Sequence, residues 1–308
     1  MQWILVCLLA AGTLIAQTTE TYTYDVNGNR VRGPETVASK GSGVVLTKSI
    51  NGGSAPVERI EERELRSDAT GKTVERIVRR YTPEGQLAGQ ERVLIEESKR
   101  PEGSTIRTTR FEGDINGGSR VVERSTAEVR RNGANTSSDV VIERPSTNGV
   151  LETAERRVAS EDKSGAASSS TQSVYRPDTN GRLVEVVREA SETRTAGNRT
   201  TEQTQRYQPN AEGRFELAES ATKTAVKRPD GSESVVVDVY APFTPGLANT
   251  NGQKLREQQI VERTATSGGG FVETVTVRRP GLSDPSRLGA AQKISERVCT
   301  GKCETTQP

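Results

Sequence analysis

The sequence predicts an all-β protein: an antiparallel meander of about eight 32-residue β-hairpin repeats, as an open twisted sheet or rolled into a barrel or shell. Three observations predict it. Gly53, Gly85, Gly117, Gly149, Gly181 and Gly213 follow one another at a constant step of 32 residues, and a fixed period marks a repeat architecture. A second set, Gly71, Gly103, Gly133, Gly165, Gly197 and Gly231, falls 16 to 18 residues after the first. Between the turns, Val235, Val237 and Val239 alternate with Ser234, Val236 and Asp238, the period of a strand.

The chain opens differently. Trp3 through Ala16 is an uncharged, mostly apolar run, followed by polar Gln17-Thr18-Thr19-Glu20. The run is too short to span a bilayer and has the length of a signal-peptide core, so residues 1–16 are read as a signal peptide. Residues 17–308 are then one hairpin-repeat domain, with an insertion near 241–251 and a C-terminal cap at 284–308. No later stretch has membrane-spanning length, and the expected location is secreted, periplasmic or at the cell surface.

Each repeat reads turn, strand, turn, strand. The stretch Pro177-Asp178-Thr179-Asn180-Gly181-Arg182-Leu183 is expected to be a tight reverse turn with Asn-Gly at the tip of a two-residue loop, since both residues tolerate positive φ. The spacing leaves strands of roughly 8 to 12 residues. Counting units gives fifteen to sixteen strands.

Tyr22-Thr23-Tyr24-Asp25-Val26-Asn27-Gly28-Asn29-Arg30-Val31 carries Tyr-Asp into an Asn-Gly turn and a strand. This stretch resembles the tyrosine-aspartate (YD, or RHS-type) repeat. The resemblance implies a rolled sheet of antiparallel hairpins that can form a shell. Elsewhere only the aromatic survives, four residues before the turn glycine at Tyr81 and six before it at Phe111, Tyr175 and Tyr207. Four and six share parity, so these rings are expected on one side of the sheet.

Composition favours a thin fold. Hydrophobic residues are 31% of the chain, and 43 Lys and Arg nearly balance 41 Asp and Glu. Val-Glu-Arg recurs at residues 57–59, 74–76, 122–124 and 261–263. Neighbours along a strand point to opposite faces, so Glu58 and Arg59 should pair across strands, giving charge ladders. Val121, Ala127 and Val129 share a parity and are expected on one face. Without basic blocks or many aromatics, nucleic acid is not an expected partner.

Catalytic signatures are lacking. There is no histidine, which removes His-dependent triads and His-ligated zinc. Thr70-Gly71-Lys72-Thr73 ends like a phosphate loop, but Arg66 stands where that loop needs glycine. Asp25-Val26-Asn27-Gly28-Asn29 resembles a calcium loop only until Arg30. No cofactor or metal is expected. Cys299 and Cys303 flank a terminal turn, and export makes them an expected disulfide. The functional expectation is a structural or adhesive module, not an enzyme, binding a glycan or protein at the cell surface. The alternatives are a carboxylate-only glycan-active enzyme, with the 241–251 insertion as the place to look, or a YD-like carrier or shell fragment.

Overall fold

The computed structural model describes residues 18–24, 30–38, 45–49, 58–82, 84–113, 118–242, 252–266, 270–281 and 287–300. Gly53, Gly117 and Cys303, the signal peptide and most of the 241–251 insertion lie outside them. The described chain holds eighteen strands, more than the fifteen to sixteen expected, because the first unit and the cap each supply pairing strands. They are β1 (Thr18–Tyr24), β2 (Arg30–Ala38), β3 (Val45–Ser49), β4 (Glu58–Asp68), β5 (Gly71–Tyr81), β6 (Leu87–Arg100), β7 (Gly103–Gly113), β8 (Ser119–Asn132) and β9 (Asn135–Pro145). Then follow β10 (Leu151–Ser164), β11 (Ala167–Pro177), β12 (Leu183–Ala196), β13 (Arg199–Pro209), β14 (Phe215–Lys227), β15 (Glu233–Pro242), β16 (Gln253–Ala265), β17 (Phe271–Arg278) and β18 (Gln292–Thr300).

Every strand pairs antiparallel with its sequence neighbours. β1 pairs with β2 on one side and with β18 on the other, where Thr19 opposes Cys299 and Thr21 opposes Arg297. The pairings therefore return on themselves, and the meander is rolled rather than left with two free edges.

The turns explain the period. At one end the loops have three residues, not two as the sequence suggested. In Asp178–Arg182 the Gly181 N–H donates to the Asp178 carbonyl and the Asp178 N–H donates to the Arg182 carbonyl. Gly181 follows the turn in the left-handed region, at φ 77°, which is where such a loop needs glycine. The Asp178 carboxylate also accepts the Asn180 and Arg182 N–H groups, an added reason for Asp at this place. Gly85, Gly149 and Gly213 repeat the geometry. Gly231 falls in the second set, yet Arg228–Ser232 closes the same three-residue loop at the opposite end, because Pro229-Asp230-Gly231 has one residue more than the two-residue loops there. Gly181→Ala has open space around its Cβ but a left-handed backbone. It is expected to lose about 1–2 kcal/mol in chemical denaturation.

At the other end two-residue loops join the strands. Gly133, Gly165 and Gly197 are the first loop residue, each with positive φ. Gly71 and Gly103 instead follow the loop, and their role is close approach: a Cβ on Gly103 would lie 1.9 Å from the Val129 carbonyl oxygen.

Strand lengths set the curvature. β10 and β12 have 14 residues while β11 and β13 have 11. One of the three extra residues is taken up by a β-bulge that recurs near the start of the long strands, at Ala88, Val122, Ala154, Val186, Ala218 and Arg256. The other two remain as stagger: Tyr207 lies level with Ser173, two residues short of its repeat equivalent Tyr175. Two residues along the strand for every two strands across give a tilt of about 35°, within the range of closed barrels. Eighteen strands at that tilt make a ring about 33 Å across.

The bulges also correct one expectation. Val121 pairs with Phe111 and Ala127 with Ile106, which point to opposite faces of β7. The extra residue Val122 reverses the alternation, so Val121 lies on the other face from Ala127 and Val129.

The core is as thin as the composition implied. Among the described residues the buried apolar side chains are Val78, Val93, Ile142, Val235, Phe271, Val277 and Cys299. Followed through the cross-strand registers, all seven share one face of the sheet. Side chains converge on the concave side of a curved sheet, so crowding on one face is what closure produces.

Candidate functional site

Two rows of side chains cross the strands, one on each face. The crowded face carries a charge ladder. Glu58–Arg80, Arg80–Glu91, Glu91–Arg110, Arg110–Glu123 and Glu123–Arg144 are linked at 3.4, 3.6, 2.9, 3.5 and 2.9 Å. The run is unbroken from β4 to β9. Glu58, Glu75, Arg76, Glu123 and Arg263 of the Val-Glu-Arg motifs pair across strands as expected. Arg59 instead pairs along its own strand with Glu61, and the buried Arg124 Nε has no hydrogen-bond partner among the described residues. The ladder shares its face with Val78 and Val93, and its glutamates are more covered than its arginines. Glu91 raises the Arg110 guanidinium above its ordinary pKa, against the opposing effect of burial. Further along, burial works to raise the Glu155 carboxyl, yet hydrogen bonds from Arg157 and Arg176 hold it below the usual range.

The opposite face carries the aromatic rings. Phe111, Tyr175, Tyr207 and Tyr240 occupy successive odd strands, interrupted at β9 by Glu143. Tyr81 shares their face, as the parity argument expected, two residues off the row. On the even strands between them stand Arg92, Arg124, Arg156 and Arg188, 32 residues apart. Phe111 is directly opposite Arg92, Glu143 opposite Arg124, Tyr175 opposite Arg156 and Tyr207 opposite Arg188. Sequence reasoning missed this arginine series. The signal was available as the same 32-residue step, hidden because arginine is common throughout the chain.

Carboxylates hold Arg92, Arg156 and Arg188 in place, while the buried Arg124 Nε has no such partner among the described residues. The Arg92 Nε donates to Glu75 at 2.7 Å, and Arg63 donates to the other oxygen of the same carboxylate at 2.5 Å. Glu75 is 4% exposed. Its pKa lies below the ordinary value, chiefly through Arg92, with burial opposing and Arg63 assisting. Arg156 makes a two-bonded pair with Asp139, and Arg188 another with Glu185. Two guanidiniums also cover rings, Arg92 over Phe111 at 5.1 Å and Arg188 over Phe215 at 4.7 Å. Such contacts are worth about 0.5–1 kcal/mol at exposed sites.

One carboxylate differs. Glu189, on the crowded face, opposes Gln172 and Arg206, with Glu202 and Glu219 nearby. Burial raises its pKa, Arg206 opposes the rise, and Glu219 and Glu202 add to it. A folded pKa above the unfolded one means ionised Glu189 costs stability once the pH exceeds the folded pKa. Below the unfolded value of about 4.3 the cost vanishes. Glu189→Gln is therefore expected to raise the melting temperature at pH 7, with the gain disappearing near pH 4. An unchanged melting temperature at both pH values counts against this environment. A shallow depression of about 360 Å³ lies on the same face, lined by Ser138, Glu161, Ser170, Ser191, Thr193 and Glu202.

The singled-out sequence positions are structural. Gly85, Gly149, Gly181 and Gly213 sit in loops outside both rows. Cys299 is buried at 1% exposure in β18, between Thr19 and Phe271. Among the described residues no group of three or more Cys, Asp or Glu is arranged to hold a metal ion. Among the described residues no helix is long and apolar enough to cross a membrane.

No family pattern matches this chain, and no curated protein matches it. Among solved structures it is similar to Salmonella typhi OmpF in complex with daunomycin, at a TM-score of 0.52 and 9% identity. The match covers 92% of this chain and 95% of that one. At this identity the likeness concerns the fold alone.

Proposed function

We propose that this chain is an exported structural or adhesive protein that binds a glycan or protein partner at the cell surface, without catalysis. The observation that carries the reading is the row of rings and arginines across one face, with Arg92, Arg124, Arg156 and Arg188 at a 32-residue step and a ring opposite three of them. Repetition of equivalent groups suits a partner that is itself extended. Glu75, Asp139 and Glu185 of that row are engaged by arginine and held below the ordinary carboxylate pKa, which leaves them poor proton donors. Charge on both faces, such as Glu161 and Glu202 on one and Asp139 and Arg156 on the other, speaks against a lipid-facing surface. Mature protein incubated with cell-wall and surface fractions is expected to sediment with at least one of them. Failure to associate with any would contradict the reading.

Glu189 favours a second reading, a carboxylate-only glycan-active enzyme, since a general acid needs a raised pKa. That reading requires release of reducing ends from a glycan and its loss in Glu189→Ala. The YD resemblance favours a carrier or shell role within the same fold. Pairing of Cys299 with Cys303 belongs to the proposal as well. It predicts that alkylation after reduction, but not before, adds two labels to the mature chain.

A further inference from the structure

Resting on that reading, we infer that the aromatic face binds a neutral, extended polysaccharide lying across the strands along the Phe111–Tyr240 row. Four features carry the inference. The rings recur on alternate strands with a two-residue stagger, so neighbouring rings are about 11–12 Å apart at one height on the ring. That is close to the length of a disaccharide in an extended glycan, so every second sugar meets a ring. Phe111, Tyr175 and Tyr207 are each flanked by a guanidinium, Arg92, Arg156 and Arg188, and these are fixed by Glu75, Asp139 and Glu185, while Tyr240 lies opposite Ser220. Such pairs present fixed donors and acceptors to hydroxyl groups on either side of a stacked sugar. Charge gives the third argument. Arg92, Arg124, Arg156 and Arg188 stand with Glu75, Glu143, Asp139 and Glu185 on the same face, and with Arg63, which shares Glu75, the row is within one charge of neutral and offers little to attract a polyanion. Finally, the apolar core packs on the opposite face, which leaves Tyr175, Tyr207 and Tyr240 only half-buried and able to stack.

The geometry also orders the subsites. Tyr175, Tyr207 and Tyr240 form an uninterrupted run of three, whereas Glu143 breaks the row between Phe111 and Tyr175. A chain of about five sugars, with the first, third and fifth each on a ring, is the shortest that engages the full run.

The test uses the mature protein in native gels containing hydroxyethyl cellulose, a neutral β-linked polymer, or alginate, an acidic one. Wild type is expected to be retarded by the neutral polymer. Tyr175→Ala with Tyr207→Ala should raise the dissociation constant by about tenfold or more. Tyr81→Ala, off the row, should leave it unchanged, and circular dichroism of the variants should match wild type. Retardation by alginate alone overturns the inference. So does retardation that the double variant keeps, or absence of retardation by the neutral polymer. Sedimentation with cell-wall fractions tests the broader reading separately, so surface binding can stand while this ligand class falls. Loss of binding together with loss of the strand signal is resolved by Tyr175→Phe with Tyr207→Phe. That variant keeps the rings and must still bind for the inference to survive.

Discussion

Gly103→Ala is expected to be the most damaging glycine-to-alanine change among the described residues. The new Cβ would lie 1.9 Å from the Val129 carbonyl oxygen and 2.9 Å from its carbon. Both are backbone atoms of β8, and they cannot swing aside as a side chain would. The two-residue loop makes the contact close: the Glu102 carbonyl accepts the Arg131 N–H, which pulls the long strand against the start of β7. Relief requires β7 and β8 to part where Gly103 pairs with Arg130. The expected loss is about 2–4 kcal/mol, a large share of a domain's total stability. Gly165→Ala is the control. It also sits in a two-residue loop, but nothing lies within 4 Å of its Cβ, so only the left-handed backbone opposes the change. Its cost should be about 1–2 kcal/mol. Equal losses at the two positions, read by urea denaturation, would mean that close approach is not what glycine serves at 103.

The second large effect concerns Glu75. Glu75→Ala removes the carboxylate that joins Arg63 to Arg92 and holds Arg92 over Phe111. A fully buried pair broken in this way costs about 3–5 kcal/mol, but the guanidinium partners here are 68% and 42% exposed and can return to water. After that discount about 1–2 kcal/mol remains. Glu112→Ala breaks a pair exposed at both ends, with Arg120, and should change stability by less than about 0.5 kcal/mol. The pH dependence follows from the depressed pKa of Glu75. A carboxylate with a lowered folded pKa gives its full contribution above the unfolded value of about 4.3. The contribution is lost as pH falls through the folded pKa. Glu155, Asp139 and Glu185 are depressed in the same sense. The melting temperature should thus hold from neutral pH down to about 5 and fall below about 4. In Glu75→Ala the fall should be shallower.

How far the sequence reveals this fold depends on which force fixes each feature. Backbone conformation is written locally, so the 32-step glycines announce the turns before any packing is known. Loop length is less local. Asn180-Gly181 looks like a two-residue tip, and only the hydrogen bond from Asp178 to Arg182 shows the third residue. The bulges leave no compositional mark: Ala88, Val122 and Ala154 are ordinary strand residues, and the extra residue is a property of the pairing. For that reason the parity of Val121 in the sequence points to the wrong face. Closure is likewise invisible in any single strand, because it follows from a two-residue stagger summed over eighteen strands. The rows of the candidate site were half legible. Rings are rare enough here for their parity to be noticed, while the arginines beside them are too common for their period to stand out. Raised and lowered carboxylates could not be told apart at all, since Glu75 and Glu189 differ only in what stands on neighbouring strands.

Closure of the ring is the claim on which the concave crowding, the stagger and the row at constant height depend. The direct measurement is the distance between spin labels at Thr21 and Arg297, introduced through a keto amino acid so that the native cysteines are untouched. These positions oppose each other across β1 and β18. A rolled sheet predicts a narrow distribution below about 20 Å, set by the label arms across one strand spacing. An open sheet of the same eighteen strands would place its two edges about 80 Å apart, and a distribution centred far beyond 20 Å would contradict the account.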